Sequence, residues 1–155
     1  MTFTKFHVVI SLIGIFAGFV VVYGLLKGKR LDAWTGLFLL MTLLTSVTGF
    51  FFPFQGFTPA IAVGIVSLVV LAIATFARYG RKLDRAWRWI YVVTAMLALY
   101  LNVFVLIVQL FQKVPALKSL APTQAEPPFQ VAQLVALTIF VVLTIFAAIR
   151  FRPAN

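Results

Sequence analysis

Six polar side chains that could bind a ligand fall near one end of the long apolar segments: His7, Ser11, Asn102, Gln109, Gln130 and Gln133. Asn102 and Gln109 are separated by two helical turns, so on a helix they share one face. An amide inside hydrocarbon is costly unless it is paired, which predicts that Asn102 points into the protein. An apolar cavity with a few converging polar groups would suit a lipid, a quinone or another small amphiphile.

The chain has too few residues of the right types for a thiolate, haem or metal site. The chain has one histidine, three acidic residues and no cysteine, which excludes a thiolate site and does not supply the two imidazoles of a b-type haem. We therefore expect no metal and no cofactor. Asp32 and Asp84 could act together as a carboxylate pair on lipid headgroups, although their positions favour helix capping.

The segments that carry these residues are typical of a membrane protein. Of the 155 residues, 63% are hydrophobic and only 10% are charged, too few to solvate a water-soluble globule. Five apolar runs approach the length of about 20 residues that spans a bilayer as helix: 8–26, 33–52, 60–77, 89–111 and 131–149. The sequence predicts one all-α transmembrane domain over residues 1–155, a bundle of five helices with an outer loop at 112–130.

A short basic turn occurs twice. Residues 28–32 read Gly-Lys-Arg-Leu-Asp, and residues 80–84 read Gly-Arg-Lys-Leu-Asp. We expect Gly28 and Gly80 to end helices in the left-handed conformation, and Asp32 and Asp84 to act as N-caps of the helices that follow. The two turns arose either by duplication, which would give two repeated helical hairpins plus a fifth helix, or by convergence.

Charge predicts the orientation. Of the thirteen cations, ten lie in the first and third connections and near the C-terminus, and three lie on the other side. This asymmetry predicts a multi-pass protein of a bacterial inner membrane with its N-terminus outside and its C-terminus in the cytoplasm. The partners expected are the bilayer and anionic lipid headgroups at the cytoplasmic face, with no nucleic acid. Six cations are candidates for headgroup contact: Lys29, Arg30, Arg81, Lys82, Arg85 and Arg88.

Two stripes of small residues suit helix packing. Gly14 and Gly18 form one stripe, and Thr42, Thr45 and Gly49 form the other. They favour a non-catalytic accessory or scaffold subunit that contacts a second copy or another membrane protein. Binding, sensing or transfer of an amphiphile is the alternative function, and an enzyme acting on lipid headgroups is the third.

Residues 50–59 contain two prolines and five phenylalanines, which predicts a tight outer hairpin. The turn at 27–30, Lys-Gly-Lys-Arg, followed by Trp34 and Gly36, resembles the turns of small bacterial multi-pass inner-membrane proteins of unknown function. The resemblance covers the first four helices as a pattern, and it implies no activity and no site.

Overall fold

The computed structural model describes residues 2–52 and 59–152, and every regular element in them is helical, as predicted. The central residues of the predicted outer hairpin, 53–58, lie outside the described residues. The elements in chain order are α1 (Phe3–Leu26), α2 (Asp32–Gly49), α3 (Pro59–Thr75), a π-helical segment (Phe76–Gly80), α4 (Trp87–Lys113), α5 (Pro115–Leu120) and α6 (Pro127–Arg150).

Four of the described helices are long and apolar enough to cross a membrane: α1, α3 together with the π segment, α4 and α6. These four helices indicate a membrane protein. The 18 residues of α2 include Asp32 and five serine or threonine residues, and this helix is not among the four.

The helices pack as neighbours along the chain. The most extensive contacts join α1 to α2 and α3 to α4, and α4 also contacts α1, α5 and α6. Tyr91, Val92 and Ala98 on α4 are fully buried. The core is built around α4, and most of its buried residues lie in the half of the bundle that carries the basic turns.

The first basic turn has the predicted backbone. Gly28 has a φ of +71°, the left-handed conformation expected of a glycine that ends a helix. The amide of Lys29 donates to the carbonyl of Gly24 at 2.7 Å, so one of the last carbonyls of α1 is satisfied.

The second basic turn does not repeat this conformation, so the prediction for Gly80 is wrong. Gly80 ends the π segment, and the positive φ angles belong instead to Lys82, Leu83 and Arg85 at 52°, 60° and 49°. A Cβ at Gly80 would lie 2.7 Å from the ring of Phe76, so glycine is needed there for space. Leu83 is buried, which holds the unusual turn against the core.

The connection between the last two spans is largely helical. Within residues 112–130, helix covers the end of α4, the six residues of α5 and the start of α6, while residues 114 and 121–126 are not helical. Proline occupies the first turn of both α5 and α6, where its missing N–H removes no hydrogen bond. Glu126 precedes α6 and accepts a 2.6 Å hydrogen bond from the hydroxyl of Thr123, which lowers the pKa of its carboxyl group.

Candidate functional site

The polar side chains predicted to converge have different hydrogen-bond partners. His7 Nδ1 lies 2.6 Å from Thr48 Oγ1. Because the Thr48 hydroxyl donates to the carbonyl of Leu44 at 2.6 Å, the imidazole N–H is the donor in the contact with His7. Ser11 donates to a carbonyl of its own helix, and Asn102 donates to Thr42 Oγ1 at 3.2 Å. His7 and Asn102 therefore join helices to one another.

Two of the three glutamines bind backbone carbonyls. Gln130 donates to the carbonyl of Ala125 at 2.9 Å, and Gln133 donates to the carbonyl of Phe104 at 3.3 Å. Gln109 is half-buried. A small cavity of about 150 Å³ lies at this end of the bundle, and none of the six predicted residues lines it.

Gly14 and Gly18 of the first stripe and Thr42 of the second pack inside the chain, whereas Gly49 is exposed. A Cβ at Gly14 would lie 3.2 Å from Met41, and one at Gly18 would lie 2.5 Å from Leu99. Thr42 is fully buried, and a Cβ at Gly49 would lie 3.7 Å from the ring of His7. These stripes allow α1, α2 and α4 to approach one another.

The six basic residues differ in how they are used. Arg88 Nη1 donates to the carbonyls of Ala148 and Phe151 at 2.8 and 2.6 Å, and so caps the end of α6. The Lys29 ammonium lies 5.8 Å from the ring centroid of Tyr23, at the end of α1. Lys82 and Arg85 are exposed on the left-handed turn. Of the remaining two, Arg30 donates a hydrogen bond to Asp32, and the Arg81 guanidinium lies 5.6 Å from the ring centroid of Trp87.

The prediction that Asp32 and Asp84 are N-caps is wrong. The N-caps of α2 and α4 are Leu31 and Ala86, and Asp32 is the first residue of α2. Asp32 Oδ1 accepts hydrogen bonds from Arg78 Nη2 at 2.5 Å and from Arg30 Nε at 3.3 Å. These two hydrogen bonds lower the pKa of the Asp32 carboxyl group, which lies just before the apolar run 33–52. A carboxylate held ionised in this way is a weak general base.

Arg78 is the residue that sequence reasoning missed. It is only 2% exposed, although its partner Asp32 has a side chain that is 71% exposed. The guanidinium also donates to the carbonyl of Arg30 at 3.1 Å and lies 5.2 Å from the ring centroid of Tyr91. Arg78 therefore fastens the start of α2 to α4. In the sequence it is one of several cations after an apolar run, and nothing there distinguishes it.

A groove of about 530 Å³ lies between α2 and α3. Its lining is made of apolar side chains with one threonine and one tyrosine: Gly36, Leu39, Leu40, Leu43, Leu68, Leu71, Ala72, Thr75, Phe76 and Tyr79. Leu40 is 50% exposed and Tyr79 is 53% exposed, so the groove opens on the outer surface of the bundle. Its volume is in the range of small-molecule sites, and its lining suits an alkyl chain.

Chain order gives the groove a direction. Leu43 and Leu68 line it near the middle of the bundle, whereas Gly36 and Tyr79 line it near the basic turns. A Cβ at Gly36 would meet no atom within 4 Å, so the absence of a side chain at this position keeps the groove open. The groove therefore runs from the apolar interior toward the cationic end of the protein.

Among the described residues, no group of three or more histidine, aspartate or glutamate side chains could hold a metal ion. Comparison of the chain with protein-family models, with curated proteins and with solved structures finds no match.

Proposed function

We propose that this membrane protein is non-catalytic and binds the apolar tail of a lipid or another small amphiphile in the groove between α2 and α3. The observation that carries this proposal is the groove itself, an apolar surface channel of about 530 Å³. In a bilayer such a groove faces acyl chains, and a bound tail would cover the exposed side chains of Leu40 and Leu43.

We also propose that α2 crosses the membrane in addition to the four helices named above, which gives five membrane spans. Its 18 residues give a helix of about 27 Å, close to the hydrocarbon thickness of about 30 Å. Thr42 is fully buried, and the hydroxyls of Thr45 and Thr48 donate to carbonyls of the same helix, so these polar groups do not face lipid unpaired. The contacts of α2 with both α1 and α3 suit a helix inside a bundle.

The proposed location is a bacterial cytoplasmic membrane, with the N-terminus outside and the basic turns in the cytoplasm. Cysteine labelling tests this orientation, because the chain has no cysteine of its own. Single variants Lys29→Cys and Lys82→Cys should resist an impermeant maleimide added to intact cells, whereas Lys118→Cys should react. Labelling of position 29 or 82 from outside would contradict the orientation.

Filling the groove should remove the bound amphiphile. Gly36→Leu places a side chain in the open part of the groove, and Thr138→Leu adds apolar bulk at an exposed position on α6. Native mass spectrometry of protein released from membranes is expected to show one retained lipid for the wild type and for Thr138→Leu. It should show at least a five-fold loss of that lipid for Gly36→Leu. Equal retention in all three proteins would count against the groove.

A second candidate is an accessory subunit that contacts a partner membrane helix through α6. The observation that favours it is that other helices cover little of α6. In an apolar stretch of 18 residues, 17% of α6 is buried, compared with 50% of α1. A photo-crosslinking residue in place of Val135, which is exposed, should capture one defined partner or a second copy in intact membranes. Crosslinks to lipid alone would mean that α6 faces lipid, which would contradict this second candidate.

A further inference from the structure

Near the basic turns, an aromatic ring of the groove lining contacts a second ring, which in turn lies beside a cation. Phe76 lines the groove, and the Trp87 ring lies edge-on against it at 5.2 Å between centroids. The Arg81 guanidinium lies 5.6 Å from the centroid of the same Trp87 ring. The ring of Trp87, on α4, therefore links Arg81 to Phe76, the groove residue on the π segment.

A second cation, Arg30, precedes α2, the helix that forms the other wall of the groove. Gly36 lines the groove one turn after the start of α2, where Arg30 Nε donates to Asp32. Arg30 and Arg78 together carry two positive charges against the one negative charge of Asp32, so this cluster keeps a net charge of +1. Arg78 is buried, whereas the Arg30 side chain is 37% exposed and can reach a ligand.

We infer that the ligand of the groove is an anionic phospholipid, whose phosphate is bound between Arg30 and Arg81 while its acyl chain occupies the groove. This inference rests on the proposed tail-binding function and adds the class of headgroup. Guanidinium groups bind phosphate oxygens through paired N–H donors, so two of them near one end of the groove would suit a single phosphate. Tyr79, which is 53% exposed, also lines the groove near the basic turns, and a tyrosine ring with its hydroxyl suits the boundary between acyl chains and headgroups.

Of the six cations predicted to contact lipid headgroups, the inference assigns phosphate binding to two, Arg30 and Arg81. Arg88 donates to carbonyls at the end of α6, and Lys29 packs over Tyr23 on α1. An uncharged amphiphile such as a quinone would supply no anion for Arg81 or for the net charge of +1 that Arg30, Arg78 and Asp32 carry together.

The test is competition between two lipids. Purified wild-type protein is incubated in mixed micelles that contain equal amounts of phosphatidylglycerol and phosphatidylcholine with matched acyl chains, and the bound lipid is counted by native mass spectrometry. The wild type should favour phosphatidylglycerol by about five-fold or more, because each nearby cation contributes about that factor. Arg30→Gln/Arg81→Gln should bring the ratio close to one while a lipid is still bound.

The matched control is Lys29→Gln/Lys82→Gln, which removes the same charge from the same face without touching the groove. It should keep most of the preference. Equal binding of both lipids by the wild type, or an equal loss of preference in the control, would overturn the inference and leave tail binding intact. No lipid bound by the wild type, or undiminished binding by Gly36→Leu, would instead refute the tail site itself. The wild-type comparison needs no variant, so it holds even if a double variant folds poorly.

Discussion

Replacement of Asp32 by alanine is expected to destabilise the fold by about 1–3 kcal/mol, because it leaves the buried charge of Arg78 without its counter-ion. Removing one partner of a fully buried ion pair would destabilise a protein by about 3–5 kcal/mol. The smaller value applies here because the Asp32 side chain is 71% exposed and water can approach its position. The carbonyl of Arg30 would remain as an acceptor for Arg78.

The measurement is the free energy of unfolding in detergent micelles, followed by circular dichroism during titration with a denaturing detergent. The control is Asp84→Ala, which removes an exposed carboxylate from the matching position of the other basic turn and should change stability by less than about 0.5 kcal/mol. The double variant Asp32→Ala/Arg78→Met should recover part of the loss, since both charges are then absent. An equal cost for Asp84→Ala would refute the special role of the Asp32–Arg78 pair.

The same pair predicts sensitivity to acid. The pKa of Asp32 is lowered in the folded protein by hydrogen bonds from Arg78 and Arg30, so its contribution is complete above the ordinary carboxyl pKa of about 3.9. That contribution is lost as the pH falls through the lowered pKa. The difference in stability between wild type and Asp32→Ala should therefore shrink below about pH 4.

Local chemistry predicted part of the fold correctly. The hydrophobic composition indicates helices in a membrane because backbone groups in hydrocarbon must be satisfied within their own segment. Gly28 takes its left-handed conformation because the end of α1 needs it and glycine meets no Cβ penalty there. Both features depend on few neighbours, so they can be predicted from the sequence.

The second basic turn shows where such prediction stops. Its pattern of residue types matches the first, yet the ring of Phe76 occupies the space beside Gly80 and Leu83 is drawn into the core. Asp32 likewise has the right residue type for a cap, but Arg78, far away in the sequence, binds its carboxylate. Tertiary packing decided each of these outcomes.

The proposed groove lies toward the other end of the bundle from the six polar residues predicted to bind a ligand, and, for a similar reason, the sequence does not reveal it. Polar residues such as His7 and Asn102 attract attention as ligands, but in a membrane interior they find the nearest hydroxyl or carbonyl and become ties between helices. The groove is lined mainly by leucines around Gly36. Such residues carry no chemical signal, so the groove is visible only once α2 and α3 are placed side by side.

Two identical glycine substitutions are expected to change stability in opposite directions. A Cβ at Gly18 would lie 2.5 Å from Leu99 Cδ1 and 3.1 Å from the ring of Phe38, and both of these side chains are about 1% exposed. Because neither neighbour has space to move, Gly18→Ala should destabilise the protein by about 1–3 kcal/mol. Gly36→Ala meets no atom within 4 Å and should stabilise it by about 0.5–1 kcal/mol through helix propensity.

Gly14 supplies the intermediate case, since its Cβ would lie 3.2 Å from Met41 Cβ, a distance that a small shift of the helices can relieve. The three alanine variants should therefore rank Gly36, Gly14 and Gly18 from most to least stable in the same detergent titration. A loss of stability at Gly36 as large as that at Gly18 would mean that the space between α2 and α3 is closed. Because that space is the proposed binding groove, this single stability ranking tests the close packing of α1 and the open groove of α2 together.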